Sequence, residues 1–121
     1  MEKVILSSKL SSFSKHWVPK IVGELNGQYV KVAKLQGEYV WHQHAQEDEL
    51  FLVLDGAMEL HLRDRVVQLR KGELFIVPRG VEHKPVAHKE VAVLLFEPAT
   101  TRNTGNIENE LTIEAGELEK I

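Results

Sequence analysis

Short β-rich runs, each ended by glycine, proline or another turn-forming residue, dominate the sequence between residues 21 and 98. Turns such as Asp55-Gly56 and Lys71-Gly72 have the residue types that tight connections require. Strands at this regular spacing, with no helical periodicity between them, predict an all-β sandwich or barrel rather than alternating strands and helices. The predicted runs are 29–35, 39–44, 49–54, 58–62, 66–69, 74–77, 83–87 and 91–97.

The 121 residues provide one domain of ordinary size, which we divide into three parts. Residues 1–20 are predicted to form an N-terminal arm with a helix from Ser8 to Trp17, ended by Pro19. Residues 21–97 are predicted to form the β-barrel, and residues 98–121 a polar C-terminal tail.

Charge and cysteine content exclude several classes of function. The tail has two basic and five acidic residues, which leaves the rest of the chain neutral and gives no basic footprint for nucleic acid. No apolar run approaches the roughly 20 residues of a membrane helix, and the N-terminus lacks a secretory signal, so we expect a cytoplasmic protein. Because the chain contains no cysteine, any metal must be bound by His, Asp or Glu.

Three histidines and one glutamate form the constellation with the clearest chemistry. His42 and His44 are two residues apart, so on a strand their side chains point to the same face. Glu49 begins the next apolar run, and a short connection would return it beside the histidines, while His83 begins a later run. Imidazole nitrogens with one carboxylate suit a divalent transition metal such as iron, manganese, nickel or zinc. Elsewhere, His61 lies on the polar face of its run, and whether that face turns inward stays open.

The neighbours of these residues predict the surroundings of the site. Glu47 and Asp48 are alternatives to Glu49 as the carboxylate ligand, but the alternation with Phe51 favours Glu49. The residues that share this alternation predict a largely apolar pocket without an inward lysine, tyrosine or second carboxylate, which weakens the case for general acid–base catalysis. The predicted pocket residues are Val40, Phe51, Val53, Pro85 and Ala87.

The first of these segments resembles the first conserved motif of the cupin superfamily. That motif places glycines on either side of a His-x-His pair and a glutamate. The chain has four residues between its first glycine and first histidine where five are usual. The matching residues are Gly37, His42, His44, Glu49 and Gly56.

The second segment resembles the second cupin motif, with Gly72, Pro78, Gly80 and His83 in place. Its last position is Ala87 where the family has asparagine, a residue that is not a metal ligand. The residues of both motifs, together with the later Asn-Thr-Gly stretch, are similar to those of small single-domain cupins that are often labelled mannose-6-phosphate isomerase-like. The resemblance implies a double-stranded β-helix, or jelly-roll cupin barrel, and a metal site made of His42, His44, Glu49 and His83. It implies no particular reaction.

Two functional hypotheses follow. The first is a metal-dependent enzyme, an oxygenase or a lyase/isomerase, acting on a small oxygenated metabolite that binds the metal through oxygen. The second is a non-catalytic module that binds or stores a metal or a small ligand.

Association with a second copy is also predicted from the pattern of apolar residues. The runs 50–54 and 93–96 are apolar on both faces, so the outer face of the barrel needs a cover. A second protomer would supply it and make a homodimer, and the alternative cover is the N-terminal segment.

Overall fold

Seven β-strands form most of the regular structure in the computed structural model, which describes residues 1–121. One short helix, α1, precedes them, and a single turn of 3₁₀-helix, Ala115–Glu117, follows them. Neither helix has the length and apolar character needed to span a membrane. The elements are α1 (Leu6–Leu10), β1 (Lys20–Leu25), β2 (Gln28–Glu38), β3 (Glu49–Asp55), β4 (Ala57–Leu62), β5 (Val66–Arg70), β6 (Leu74–Val77) and β7 (His83–Pro98).

Strand β7 organises the sheet because its 16 residues take part in both halves of the barrel. The beginning of β7 pairs with β4, its end pairs with β3, and β2 runs along its other edge. All pairings are antiparallel, in the order β1-β2-β7-β3-β6, with β4 bridging β7 and β5. This is the predicted all-β fold, a jelly-roll barrel.

The strands differ from the prediction at three places. The runs 83–87 and 91–97 are parts of the single strand β7, which stays extended through residues 88–90 although its register with β2 shifts there. Strand β1 was not among the predicted runs. Residues 39–44 are not a strand, and within them only His42 forms an isolated bridge, to His83.

The core lies inside the barrel and consists of side chains from alternate positions of the strands. In β3 the buried positions are Glu49, Phe51 and Val53, while the leucines between them are half-buried. This alternation is the period of two that a sheet with one inner face requires. The apolar core residues are Ala33, Leu35, Phe51, Val53, Met58, Leu60, Leu69, Val77, Ala87, Val91, Val93 and Leu95.

The N-terminal arm packs along the edge of β2, but its helix is shorter than predicted. The helix ends at Leu10, and Trp17 has a positive φ of 64°, which no helix interior allows. The Phe13 ring lies beside the Lys34 ammonium, and the backbone N–H of Trp17 donates to the Lys34 carbonyl at 2.9 Å. These tertiary contacts fix the arm where the local sequence alone suggests a longer helix.

The outer face of β3, β6 and β7 carries a contiguous group of apolar side chains, which we call the outer apolar patch. Leu50 lies between Ile76 and Phe96 in the register, and Leu52 lies between Leu74 and Leu94. Leu74 and Ile76 remain about half exposed, at 53% and 51%. The N-terminal arm therefore leaves this part of the outer face uncovered. The patch consists of Leu50, Leu52, Leu74, Ile76, Leu94 and Phe96.

Candidate metal centre

The loop between β2 and β3 carries His42 and His44, and its backbone is fixed from two sides. The N–H of His42 donates to the carbonyl of His83 at 3.1 Å, and the N–H of His83 donates back at 2.9 Å. The carbonyl of His44 accepts from the N–H of Gly80 at 2.8 Å. The loop is thus attached to the start of β7 and to the turn before it. This explains how both histidines reach the interior although the segment is not the predicted strand.

The C-terminal tail holds the same loop from outside. The N–H of Asn106 donates to the carbonyl of Gln43 at 3.1 Å, and the N–H of Gln43 donates to Asn106 Oδ1 at 2.9 Å. Gly105 lies between these contacts with a φ of 56°, and a Cβ there would collide with the Gln43 carbonyl. The tail is therefore a second layer around the loop that carries His42.

The four predicted donors come together in the barrel interior. One nitrogen or oxygen from each of His42, His44, Glu49 and His83 lies within 4.8 Å of the others, and all four residues are buried. Glu49 Oε1 lies 3.2 Å from His83 Nε2 and 3.4 Å from His44 Nε2. The sequence prediction that these four residues converge agrees with this geometry.

Backbone carbonyls orient two of the imidazole rings. The Nδ1 atoms of His42 and His83 lie 2.9 Å from the carbonyls of Val40 and Val81. A carbonyl only accepts, so Nδ1 carries the proton in the neutral form of both rings, which leaves Nε2 as the atom that can bind a metal. Second-layer hydrogen bonds of this kind fix the tautomer and ring angle of metal-binding histidines.

Two features of the site fit a bound cation: a buried nitrogen without a hydrogen-bond partner, and the types of donor atom that surround it. His44 Nε2 is buried and has no hydrogen-bond partner. Buried polar atoms are normally satisfied, and an unpaired imidazole nitrogen facing three other donors is the arrangement that a metal ion completes. Three nitrogens and one carboxylate oxygen suit a first-row divalent ion.

The protonation states favoured by the surroundings are the metal-binding ones. Burial lowers the pKa of His42 to about 4, and the neighbouring His83 adds to this effect. Burial alone would raise the pKa of Glu49, but the polar side chains of His44, His83 and Glu97 beside it hold that pKa well below its usual range. A neutral imidazole beside an ionised carboxylate is the form that binds a metal.

The other carboxylates near the motif lie outside the site. Asp48 is exposed and its Oδ1 accepts from the N–H of Arg79 at 2.8 Å. Glu47 is half-buried and accepts from the Thr100 hydroxyl at 2.9 Å. His61 is on the outer surface, where its Nε2 lies 2.8 Å from Glu59 Oε1. The sequence argument that favoured Glu49 over its two neighbours therefore agrees with the structure.

A cavity of about 40 Å³ opens beside the donors. Trp17 and Tyr39 stack on one side with ring centroids 4.5 Å apart, and the Tyr39 ring meets His42 edge-on at 5.5 Å. The residues that line the cavity are Trp17, Pro19, Ala33, Leu35, Tyr39, His42, Glu49, Phe51, Pro85, Leu95, Glu97 and Asn103.

The predicted pocket residues fall into two groups. Phe51 and Pro85 line the cavity. Val53 and Ala87 do not line it, and both are fully buried in the core of the barrel. Val40 does not line it either, since its segment is a loop in which strand alternation has no meaning.

The structure differs from the expectation of a largely apolar pocket without an inward lysine, tyrosine or second carboxylate. Tyr39 and Glu97 line the cavity, and Lys31 lies behind Glu97 with its Nζ 2.8 Å from Glu97 Oε1. Strand alternation could have predicted the position of Glu97, because Glu97 continues the series of inward residues along β7. That series is Val91, Val93 and Leu95. The register places Tyr29 opposite Glu97, so Lys31 lies diagonally beside it and also points inward.

The inward-facing carboxyl of Glu97 has an unusual environment. Burial raises the pKa of Glu97 well above its usual range, and the nearby Glu49 raises it further, against the opposing effect of Lys31. Burial also raises the pKa of Tyr39. The cavity therefore has two side chains that hold protons more tightly than they would in water.

The fold and the site together define a class of protein. Residues 28–97 match the Cupin domain family, and the chain belongs to the cupin superfamily. The match includes both motifs that carry His42, His44, Glu49 and His83.

Particular relatives are similar over most of the chain. A cupin-2 domain containing protein from Shewanella frigidimarina is 40% identical, with a TM-score of 0.78 over 78% of this chain and 93% of that one. A protein from Neisseria meningitidis is 28% identical, with a TM-score of 0.74 over 80% of this chain and 99% of that one. An uncharacterized protein of Bacillus subtilis is 30% identical over 63% of this chain and 77% of its own length.

Proposed function

We propose that this cupin is a metal-dependent enzyme, an oxygenase or a lyase/isomerase, acting on a small oxygenated metabolite. The observation that carries the proposal is the convergence of four buried donors on one point beside an open cavity. His42, His44, Glu49 and His83 would bind one divalent ion, and ions of the iron, manganese, nickel and zinc series fit these ligands. Such an ion supplies Lewis-acid activation of a bound oxygen or, as iron(II), dioxygen chemistry.

The protein side chains contribute binding, shielding and proton handling. Phe51, Leu95 and the stacked pair Trp17 and Tyr39 exclude water from part of the cavity. Glu97 is a second carboxyl within the pocket and can hold a proton near the ligand. Its presence strengthens the case for acid–base steps, which the sequence alone supports only weakly.

Metal analysis and turnover assays test the proposal together. Untagged protein, purified without added metal, is expected to contain close to one transition-metal ion per chain by elemental analysis. Glu49→Gln should lose most of that metal, whereas Asp48→Asn, a matched change at an exposed neighbour, should keep it. Metal contents that are equal in the two variants would contradict the assignment of Glu49.

Assays of oxygen uptake and of isomerisation or elimination distinguish the two proposed classes of enzyme. Protein loaded anaerobically with iron(II) is mixed with enediols or catechols, and the oxygenase branch predicts oxygen consumption. Protein loaded with manganese, nickel or zinc is assayed for isomerisation or elimination of hydroxycarbonyl compounds. A protein that binds metal and ligand but turns over no compound in either panel is the non-catalytic binding or storage module.

We also propose that the working form is a homodimer. The outer apolar patch supports this, because its six side chains form a continuous block on three neighbouring strands. An exposed apolar block on a sheet face is typical of a surface that binds another protein. A second copy of the chain offers the same apolar surface in return.

A further inference from the structure

The carboxyl group of Glu97 has one oxygen that the protein does not use. Its side chain is only 2% exposed, and Oε1 accepts from Lys31 Nζ at 2.8 Å. Oε2 is buried without any hydrogen-bond partner, although Glu97 lines the cavity. Leaving a buried carboxyl oxygen unsatisfied is costly, and such groups in native proteins normally meet a partner.

The register places this oxygen next to the metal donors. Leu50 pairs with Phe96 and Phe51 pairs with Leu95, so the next position brings Glu49 opposite Glu97. Side chains directly opposite on antiparallel strands have Cβ atoms roughly 5 Å apart. A small molecule in contact with an ion at Glu49 can therefore reach Glu97 as well.

Charge and size limit what that molecule can be. A divalent ion together with Lys31 outweighs the two carboxyl groups, which favours an anion. The cavity of about 40 Å³ compares with roughly 10–15 Å³ for one water in the same kind of measure. It thus accepts a fragment of a few heavy atoms, such as a carboxylate with the adjoining hydroxylated carbon.

We propose, building on the metal site of the proposed function, that Glu97 is a ligand-binding residue and that the ligand is a small hydroxylated organic acid. An oxygen of the acid binds the metal, and its hydroxyl group donates a hydrogen bond to Glu97 Oε2. Lys31 holds Glu97 in the required position by binding the other oxygen.

Glycolate and acetate are the probes, because they differ by a single hydroxyl group. Their affinities for the zinc-loaded protein are measured by isothermal titration calorimetry, in wild type and in Lys31→Met/Glu97→Leu. The double change removes both charges, since a lone buried charge would destabilise the fold. Glycolate can chelate the metal in both proteins, so the informative quantity is the glycolate-to-acetate affinity ratio.

We expect that ratio to be about tenfold lower in the double variant, the loss of one hydrogen bond to a buried carboxyl. Lys120→Met/Glu24→Leu, a matched change at an exposed pair, should leave the ratio at the wild-type value. An equal ratio in wild type and the Glu97 variant, with zinc bound in both, overturns this proposal and leaves the metal site intact. A wild-type protein that binds no zinc overturns both proposals.

A structure of wild-type protein with zinc and glycolate tests the same contact without a variant. The glycolate hydroxyl oxygen is expected within hydrogen-bond distance of Glu97 Oε2. A hydroxyl group directed away from Glu97 overturns the proposal even if the double variant does not fold.

Discussion

Lys31 and Glu97 form an ion pair inside the barrel, with Nζ 2.8 Å from Oε1 and side-chain exposures of 1% and 2%. Breaking such a pair from one side leaves a buried charge without a partner, which costs about 3–5 kcal/mol. We therefore expect Glu97→Leu, which leaves the Lys31 ammonium buried without a partner, to lower the free energy of unfolding by about 3 kcal/mol. Lys31→Met/Glu97→Leu should recover most of that loss, because no charge remains. Urea denaturation of both proteins and of Lys31→Met gives the coupling energy, and additive losses would contradict the pairing.

The stability of the metal-free protein should depend on pH through His42. Its pKa is about 4 in the folded protein and 6.5 in the unfolded chain. Between these values the unfolded chain binds more protons, so lowering the pH favours unfolding. The loss should begin near pH 6.5 and reach roughly 3 kcal/mol near pH 4, at 1.36 kcal/mol per pKa unit. Urea midpoints of chelator-treated protein at several pH values measure this, and His42→Gln should flatten the dependence. If the free energy of unfolding of that variant depended on pH as steeply as in wild type, the assignment of the effect to His42 would be contradicted.

Gly105→Ala tests whether the tail holds the histidine loop. The new Cβ would collide with the Gln43 carbonyl, and the positive φ of 56° disfavours alanine as well. The loop that carries His42 must then move, and displaced second-layer contacts typically weaken metal binding 10- to 100-fold. Metal affinity is measured by competition with a chelator. Gly116→Ala is the control, because its Cβ meets nothing within 4 Å, and the same affinity in both variants would show that the tail is not a support.

The metal donors were predictable from sequence because each motif is local and punctuated by glycine and proline. The four donors meet because the motifs begin or join strands that pair with each other. This pairing brings together His42, His44, Glu49 and His83. The all-β fold was predictable for a similar reason, since strand alternation and turn residues are short-range signals.

Contacts between distant segments explain what the sequence did not indicate. Residues 39–44 form a loop because the tail and the turn at Gly80 satisfy its backbone groups, which no local pattern encodes. The predicted helix to Trp17 stops at Leu10 because the arm binds the edge of β2 instead. The pair of Lys31 and Glu97 is hidden in sequence since two charged residues on separate strands look like surface residues until the register is known.

Trp17 should stabilise the fold through both its ring and its indole N–H. The Nε1–H donates to the Gln36 carbonyl at 2.9 Å, and the ring stacks on Tyr39. Trp17→Phe keeps the stacking and loses the hydrogen bond, at a cost of about 1 kcal/mol. Trp17→Ala loses both and should cost roughly 3 kcal/mol. Urea denaturation measures the two differences, and equal losses would mean that the stacking with Tyr39 contributes nothing.

The outer apolar patch should control association of the chain. Leu74 and Ile76 are the exposed members of the patch, and each is near the partner leucines of β3. Ile76→Glu introduces a charge into a surface that would be buried between copies, and an uncompensated buried charge opposes association by several kcal/mol. The variant should run as a monomer in size-exclusion chromatography with light scattering at concentrations where wild type is a dimer.

Leu25→Glu is the matched control, because Leu25 is similarly exposed at 47% but lies on β1 outside the patch. Since the patch lies on the outer face and the donors on the inner face, Ile76→Glu should keep its metal. A wild-type monomer, or a variant that remains dimeric, would contradict the proposed interface.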